Sequence, residues 1–302
     1  MADKEKPRRY WLDRHRNPGE KQAAKRSYMD EMRLILTKEE LGELSKGFDL
    51  LGNIAIIDFT DRLKKRSKEI AGVILKYNKN VDTVVAKAGP VEGVFRTRKY
   101  RYVAGKRSFI ASYRENGCTF VFDIRKTYFS PRWSFERSRL MAMVRPKESV
   151  VVMFAGVGPF AIEIAKAHKD ARVTGIELNE YACKAFADNI KLNKVPNVTC
   201  IHGDVSKASK NPALKNSADR IIMPLPMSSL QFLDDVLRIA KRKCTVHIYA
   251  LGMIEHGGDS IWRAISAHAE KNGYRVKKIF SRVARPYSAR EQEMVIDYSI
   301  SK

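Results

Sequence analysis

The chain has 302 residues, 44% of them hydrophobic, with a formal net charge of +23 at pH 7. It is long enough for two domains. No apolar run is long enough to span a bilayer, and the N-terminus, Met-Ala-Asp-Lys-Glu-Lys-Pro-Arg-Arg, lacks the apolar centre of a secretory signal. Its four cysteines, Cys118, Cys183, Cys200 and Cys244, include no Cys-x-x-Cys pair. That scatter fits a reducing, cytoplasmic setting and argues against a disulfide frame or a zinc site. The charge is uneven: residues 46–148 hold 23 Lys and Arg against 10 Asp and Glu, which is +13 of the total +23. A polyanion is the economical partner for such a surface.

Residues 1–28 are polar and basic, broken by Pro7 and Pro18-Gly19, and are expected to be weakly ordered. From Ala23 to Lys46 the spacing turns helical, and Thr37 with Glu40 forms a capping box between two short helices. The period then changes. Phe48–Asp58 predicts a strand with a Gly52-Asn53 turn or bulge, Asp61–Tyr77 an amphipathic helix, and Val81–Lys87 a strand. Further strands over Val91–Gly117, punctuated by Gly105 and Glu115-Asn116-Gly117, complete a small α+β domain over residues 46–117, after a helical extension at 1–45.

Residues 118–302 alternate differently. After a strand at Thr119–Asp123 and a helix at Ser134–Val144, strands are expected at 149–154, 171–177, 197–202, 219–223 and 244–250. Helices are expected at 160–168, 179–192, 228–241 and 259–272. This alternation predicts an α/β domain with a mostly parallel sheet covered on both faces. Arg275–Val283 and Glu293–Ile300 would add an antiparallel hairpin at its edge.

The first of these strands empties into Phe154-Ala155-Gly156-Val157-Gly158 before a helix begins. Strand, glycine turn and helix in that order make a nucleotide cradle, because glycine lets the turn tighten and the backbone approach a ligand. Gly-x-Gly without a third glycine suits S-adenosylmethionine, which has no pyrophosphate to seat. Glu177-Leu178 ends the second strand, where a carboxylate can hold ribose hydroxyls. Asp204-Val205 ends the third, near an adenine amino group, and Pro224-Leu225-Pro226 ends the fourth, on the rim facing substrate. Each carboxylate alone could equally be a helix N-cap.

Seven short stretches then occur in a familiar order: Val84–Glu92, Arg96–Tyr100, Glu115–Gly117, Tyr128–Arg132, Met153–Phe160, Asn189–Asn193 and Arg220–Pro226. Over residues 46–300 the chain resembles the archaeal and eukaryotic tRNA guanine-37 N1-methyltransferases, class I (Rossmann-like) enzymes. The resemblance implies methyl transfer from S-adenosylmethionine to N1 of the guanosine beside the tRNA anticodon, by a monomer acting on neither DNA nor membrane. It assigns Glu136 as general base and Arg96 as the cation beside guanine O6, with no metal required. Phe154, Ala155, Gly156, Gly158, Glu177, Leu178, Asp204, Val205 and Pro224 become cofactor residues. Arg98, Lys99, Tyr128, Arg132 and Pro226 become tRNA contacts. Two positions depart from the pattern: Val152 stands where the family usually has an acid, and Pro224 where it usually has asparagine. The family's usual N-terminal accessory domain looks replaced by a shorter helical segment. Wyosine-pathway transferases on the same scaffold, and a non-catalytic RNA-binding relative, are the competing expectations.

Overall fold

The computed structural model describes residues 27–44 and 48–302; nearly all of the basic stretch at 1–28 lies outside the described residues. Helices α1 (Tyr28–Ile35) and α2 (Lys38–Glu43) each open with a capping box, Ser27 with Asp30 and the expected Thr37 with Glu40. Strands β1 (Asp49–Leu51) and β2 (Ile54–Ile57) form a hairpin about Gly52-Asn53. The expected helix over 61–77 is two, α3 (Asp61–Lys64) and α4 (Ser67–Tyr77). Arg66 breaks it at φ −97°, ψ 4°, and donates its guanidinium to the Ile35 carbonyl, which ties the break to α1. Strands β3 (Thr83–Glu92) and β4 (Thr97–Gly105) complete a sheet of order β1-β2-β3-β4, with β2 and β3 parallel.

A separate hairpin, β5 (Ile110–Glu115) and β6 (Cys118–Asp123), leads to α5 (Ser134–Met143). The larger unit follows as β7 (Ser149–Met153), α6 (Pro159–Ala167), β8 (Arg172–Glu177), α7 (Glu180–Asn193), β9 (Val198–His202), α8 (Val205–Ala208), β10 (Ala218–Met223), α9 (Leu233–Ile239), β11 (Ala240–Met253), α10 (Asp259–Lys271), β12 (Arg275–Pro286) and β13 (Glu291–Ser301). Its sheet runs β12-β13-β11-β10-β7-β8-β9. The five strands β11 to β9 are parallel and the β12–β13 hairpin is antiparallel, as the alternation predicts. The helix expected over 228–241 is a 3-10 turn followed by the short α9, and β11 begins as early as Ala240.

Hydrogen bonds from α7 latch the β5–β6 hairpin to the large unit. The Val121 and Thr119 N–H groups donate to the side chains of Asn189 and Asn193, each at 2.8 Å. Four residues of helix rise about 6 Å and two residues of strand about 6.7 Å, so two asparagines one turn apart meet alternate strand amides. At the hairpin turn, Arg137 grips Glu115 through two bonds of 2.5 and 2.8 Å and approaches Glu163 at 3.4 Å, while Asn116 donates to Glu163 at 2.7 Å. Burial, more than the neighbouring Glu115 charge, pushes the Glu163 carboxyl up to about 8 despite Arg137 and Asn116. The folded state then holds a proton that the unfolded state releases above about pH 4.3. Stability should therefore fall as pH rises through about 5 to 8, by at most about 1.4 kcal/mol per pH unit. Urea unfolding of Glu163→Gln across that range should show a flatter profile than wild type, and an identical slope in both proteins would refute this.

Candidate active site

The sheet order reverses at β7: β8 and β9 lie on one side, β10 and β11 on the other. Such a switch point leaves a crevice beyond the strand ends. A cavity of about 450 Å³ fills it, lined by Phe154, Gly156, Glu177, Leu178, Asp204, Val205 and Pro224 among others. Two of the residues expected to touch a cofactor, Ala155 and Gly158, stand behind the wall. The Ala155 N–H donates to the Ile176 carbonyl at 2.9 Å, pinning the turn against β8. Gly158 sits at φ +90°, and a Cβ there would lie 2.0 Å from the Phe186 ring. Packing, not ligand contact, requires that glycine.

Glu177 accepts the Gly156 and Asn179 N–H groups at 2.7 Å each, which fixes both oxygens at the lip of the turn. Burial nevertheless raises its affinity for a proton. Asp204 serves as an N-cap for α8, accepting the Ser206 N–H at 2.7 Å through Oδ1. Its Oδ2 has no partner among the described residues, so capping and ligand contact are compatible. These two carboxylates and the bare Gly156 backbone fit an adenosine-containing cofactor. Val152 is fully buried in the apolar cluster beneath α5, so its loss of charge is absorbed as packing. Pro224 lines the cavity and offers no N–H there.

The small sheet reaches this crevice through its β3–β4 turn. Arg96 occupies the left-handed region at φ 52°, its N–H donating to Gly93 at 3.1 Å, and its guanidinium lies 4.7 Å above the Tyr128 ring. Phe154, on the opposite wall, is also left-handed at φ 58°. Two non-glycine residues so placed at one crevice mark stored backbone strain of about 1–3 kcal/mol each. Arg98 and Arg132 line a neighbouring cavity instead of this one. Lys99 lies on the other face of β4 and is exposed. Pro226 is buried, and its carbonyl accepts Leu251 N–H at 3.0 Å. Val94, Phe95, Met227 and Gln231, none of them among the expected site residues, also line the crevice. The apolar pair Val94-Phe95 beside Gly93 was the available signal for two of them, Val94 being 81% exposed with no core to join, and Met227 and Gln231 had none.

Glu136 is not among the crevice-lining residues, contrary to what a base in contact with substrate requires. It is 4% exposed on α5 and accepts Tyr249 Oη at 2.6 Å, Arg139 Nε at 3.0 Å and the Arg282 guanidinium. A buried polar line continues beyond it. Arg139 bonds Asp297 at 2.5 Å, Asp297 stands 2.7 Å from His247 Nδ1, and Arg220 donates to His247 Nε2 at 2.6 Å and to Glu148 at 2.8 Å. Arginine only donates, so Nε2 accepts and Nδ1 carries the proton facing Asp297.

Residues 111–277 match the TRM5/TYW2 methyltransferase domain, and residues 28–108 match the TYW2 N-terminal domain, which takes in α1 and α2. The chain is 38% identical over 260 residues to the tRNA (guanine(37)-N(1))-methyltransferase Trm5b of Pyrococcus abyssi, covering 85% of this chain and 76% of that protein. It superposes on aTrm5 solved in complex with tRNALeu at a TM-score of 0.77 and 30% identity, covering 91% of this chain and 78% of the other. It superposes on the P. horikoshii TYW2 in complex with MeSAdo at 0.78 and 26% identity, covering 91% and 98%. Fold, crevice and sequence agree, and the chain belongs to the TRM5/TYW2 methyltransferase family.

Proposed function

We propose that this protein is an S-adenosylmethionine-dependent tRNA methyltransferase acting on N1 of guanosine 37. The observation that carries this is the meeting of two parts at one crevice. The turn and strand ends of the large unit form an adenosine seat, and the small sheet delivers Arg96, stacked on Tyr128, to its mouth. Bound there, S-adenosylmethionine supplies a methyl group made electrophilic by its sulfonium. Glu177 and Asp204 hold the ribose and adenine ends. The guanine N1 proton is weakly acidic, and as it leaves, negative charge spreads onto O6, where the Arg96 guanidinium offsets it. Glu136, the general base that the resemblance implies, is assigned the proton once substrate binding has drawn Arg282 away from it.

In this proposal residues 46–117 help hold the tRNA and residues 118–302 carry the chemistry. The protein works as a cytoplasmic monomer and not on DNA. No described helix is long and apolar enough to cross a membrane. The match of residues 28–108 to a TYW2 domain favours a second reading, in which the chain acts in wyosine synthesis and either methylates the tricyclic base or transfers the aminocarboxypropyl arm.

One experiment separates them: a G37-containing tRNA transcript is incubated with cofactor labelled in the methyl or in the carboxyl carbon, and the modified nucleoside is mapped by mass spectrometry. Methyl label in 1-methylguanosine supports the proposal, whereas carboxyl label entering RNA supports arm transfer. Neither label entering, with no calorimetric heat for S-adenosylmethionine, leaves an RNA-binding protein. Arg98 has no carboxylate partner among the described residues and is assigned a phosphate. Arg98→Ala should weaken tRNA binding and reduce the slope of log affinity against log salt by about one. Equal binding at every salt concentration would remove the assignment.

A further inference from the structure

A second cavity, also of about 450 Å³, opens on the other side of the Arg96–Tyr128 stack, and these two residues line both cavities. Its walls are β1, β3 and β4 of the small sheet and the Thr127–Arg132 segment of the large unit. The size falls within the range of small-molecule sites. The alternation along β4 decides what faces it: Arg98 and Tyr100 point in, while Lys99 and Arg101 are exposed. Tyr100 is half-buried, and its desolvation raises the phenol pKa. Arg132 leans on Asp49 at 3.4 Å, and Lys87 lies 3.5 Å from the same carboxylate.

We propose that this cavity seats a second nucleotide of the RNA, the immediate neighbour of the one whose base enters the cofactor crevice. The inference rests on the RNA-directed function proposed above and adds to it a named subsite. Three features carry it. The cavity shares a wall with the crevice, so adjacent nucleotides of one strand can occupy the two together. Arg98 lacks a carboxylate partner among the described residues, and Arg132 has only a long, exposed one, so both are available to a phosphate. Tyr100, half-buried against the core, lines the same cavity as Arg98 and Arg132 and supplies its aromatic side chain for stacking with any base. Arg96 already covers the Tyr128 ring, so Tyr100 is the stacking surface for this nucleotide.

The test uses the full chain and tRNA transcripts carrying 4-thiouridine directly 5′ or directly 3′ of guanosine 37. Irradiation should crosslink one of these positions to peptides containing residues 98–100 or 128–132. Tyr100→Leu should weaken tRNA binding about 5- to 100-fold with an unchanged salt slope, because it removes stacking and no charge. Tyr100→Phe should restore wild-type affinity, which separates lost stacking from a misfolded domain. Crosslinks confined to other peptides, or wild-type binding by a folded Tyr100→Leu, would overturn the subsite. If guanosine 37 is still methylated in those same samples, the enzymatic function survives that loss. If it is not methylated by the wild type, both fail.

Discussion

Replacing Glu136 with glutamine should lower methyl transfer by about 10²–10⁴-fold and leave tRNA affinity within a few-fold of wild type. The amide keeps the side chain's size but cannot take the N1 proton. The carboxylate is sequestered here by Tyr249, Arg139 and Arg282. Of the two cations, Arg282 is the more accessible, its side chain 32% exposed against 16% for Arg139. It is also the group an arriving RNA phosphate would draw away. In this scheme substrate binding bares the base, while Tyr249 and Arg139 continue to orient it. A purely structural role predicts a different pattern: a lower unfolding temperature, with the folded fraction turning over within a few-fold of wild type. That pattern would remove Glu136 from the chemistry.

The strand-end rim of the crevice was legible in the sequence because its residues follow from local rules. An apolar run, a glycine turn and carboxylates at successive strand ends place Gly156, Glu177 and Asp204 on one rim whatever surrounds them. The Thr37–Glu40 capping box and the Gly52-Asn53 turn are local in the same sense. The substrate end was less legible because tertiary contacts set it. Nothing near Glu136 in sequence announces Tyr249 or Arg282, which come from strands more than a hundred residues on. The same holds for the asparagine latch, where Asn189 and Asn193 gain meaning only against β6. Arg98 and Lys99 are adjacent and alike in charge, yet the two-residue period of β4 sends them to opposite faces. Within Val246–Ala250 and Met294–Ile300, His247 and Asp297 look like polar interruptions of apolar strands. Only their pairing in register across β11 and β13 reveals a buried network.

Removing the Asp297 carboxylate should cost as much stability as truncating a large side chain of the apolar core, about 3–5 kcal/mol for Asp297→Ala. Asp297 is fully buried between two donors, Arg139 at 2.5 Å and His247 at 2.7 Å. Burial is the largest single influence on its carboxyl and favours the protonated form. The hydrogen bonds from His247 and Arg139, with the Arg139 charge, together outweigh it and hold the pKa below the ordinary carboxylate range. The variant strands Arg139 with Glu136, itself shared with Arg282, and leaves the His247 Nδ1–H facing a void. Much of the cost is therefore the penalty of unpaired buried groups and not the worth of the pair. The double variant Asp297→Ala with Arg139→Met should accordingly recover part of the loss, a coupling of about 0.5–3 kcal/mol in a double-mutant cycle. Acidification offers an independent check. Burial, more than Arg220 or Arg139, lowers the His247 pKa against the pull of Asp297, so the unfolded state gains a proton first, near pH 6.5. Stability contributed by neutral His247 is then present above that pH and lost as pH falls below it, and the loss deepens as Asp297 itself is protonated. Strictly additive single-variant costs, or a stability that stays level between pH 7 and 5 once the opposing Glu163 titration is removed by Glu163→Gln, would show that Arg139, His247 and Asp297 do not act as one unit.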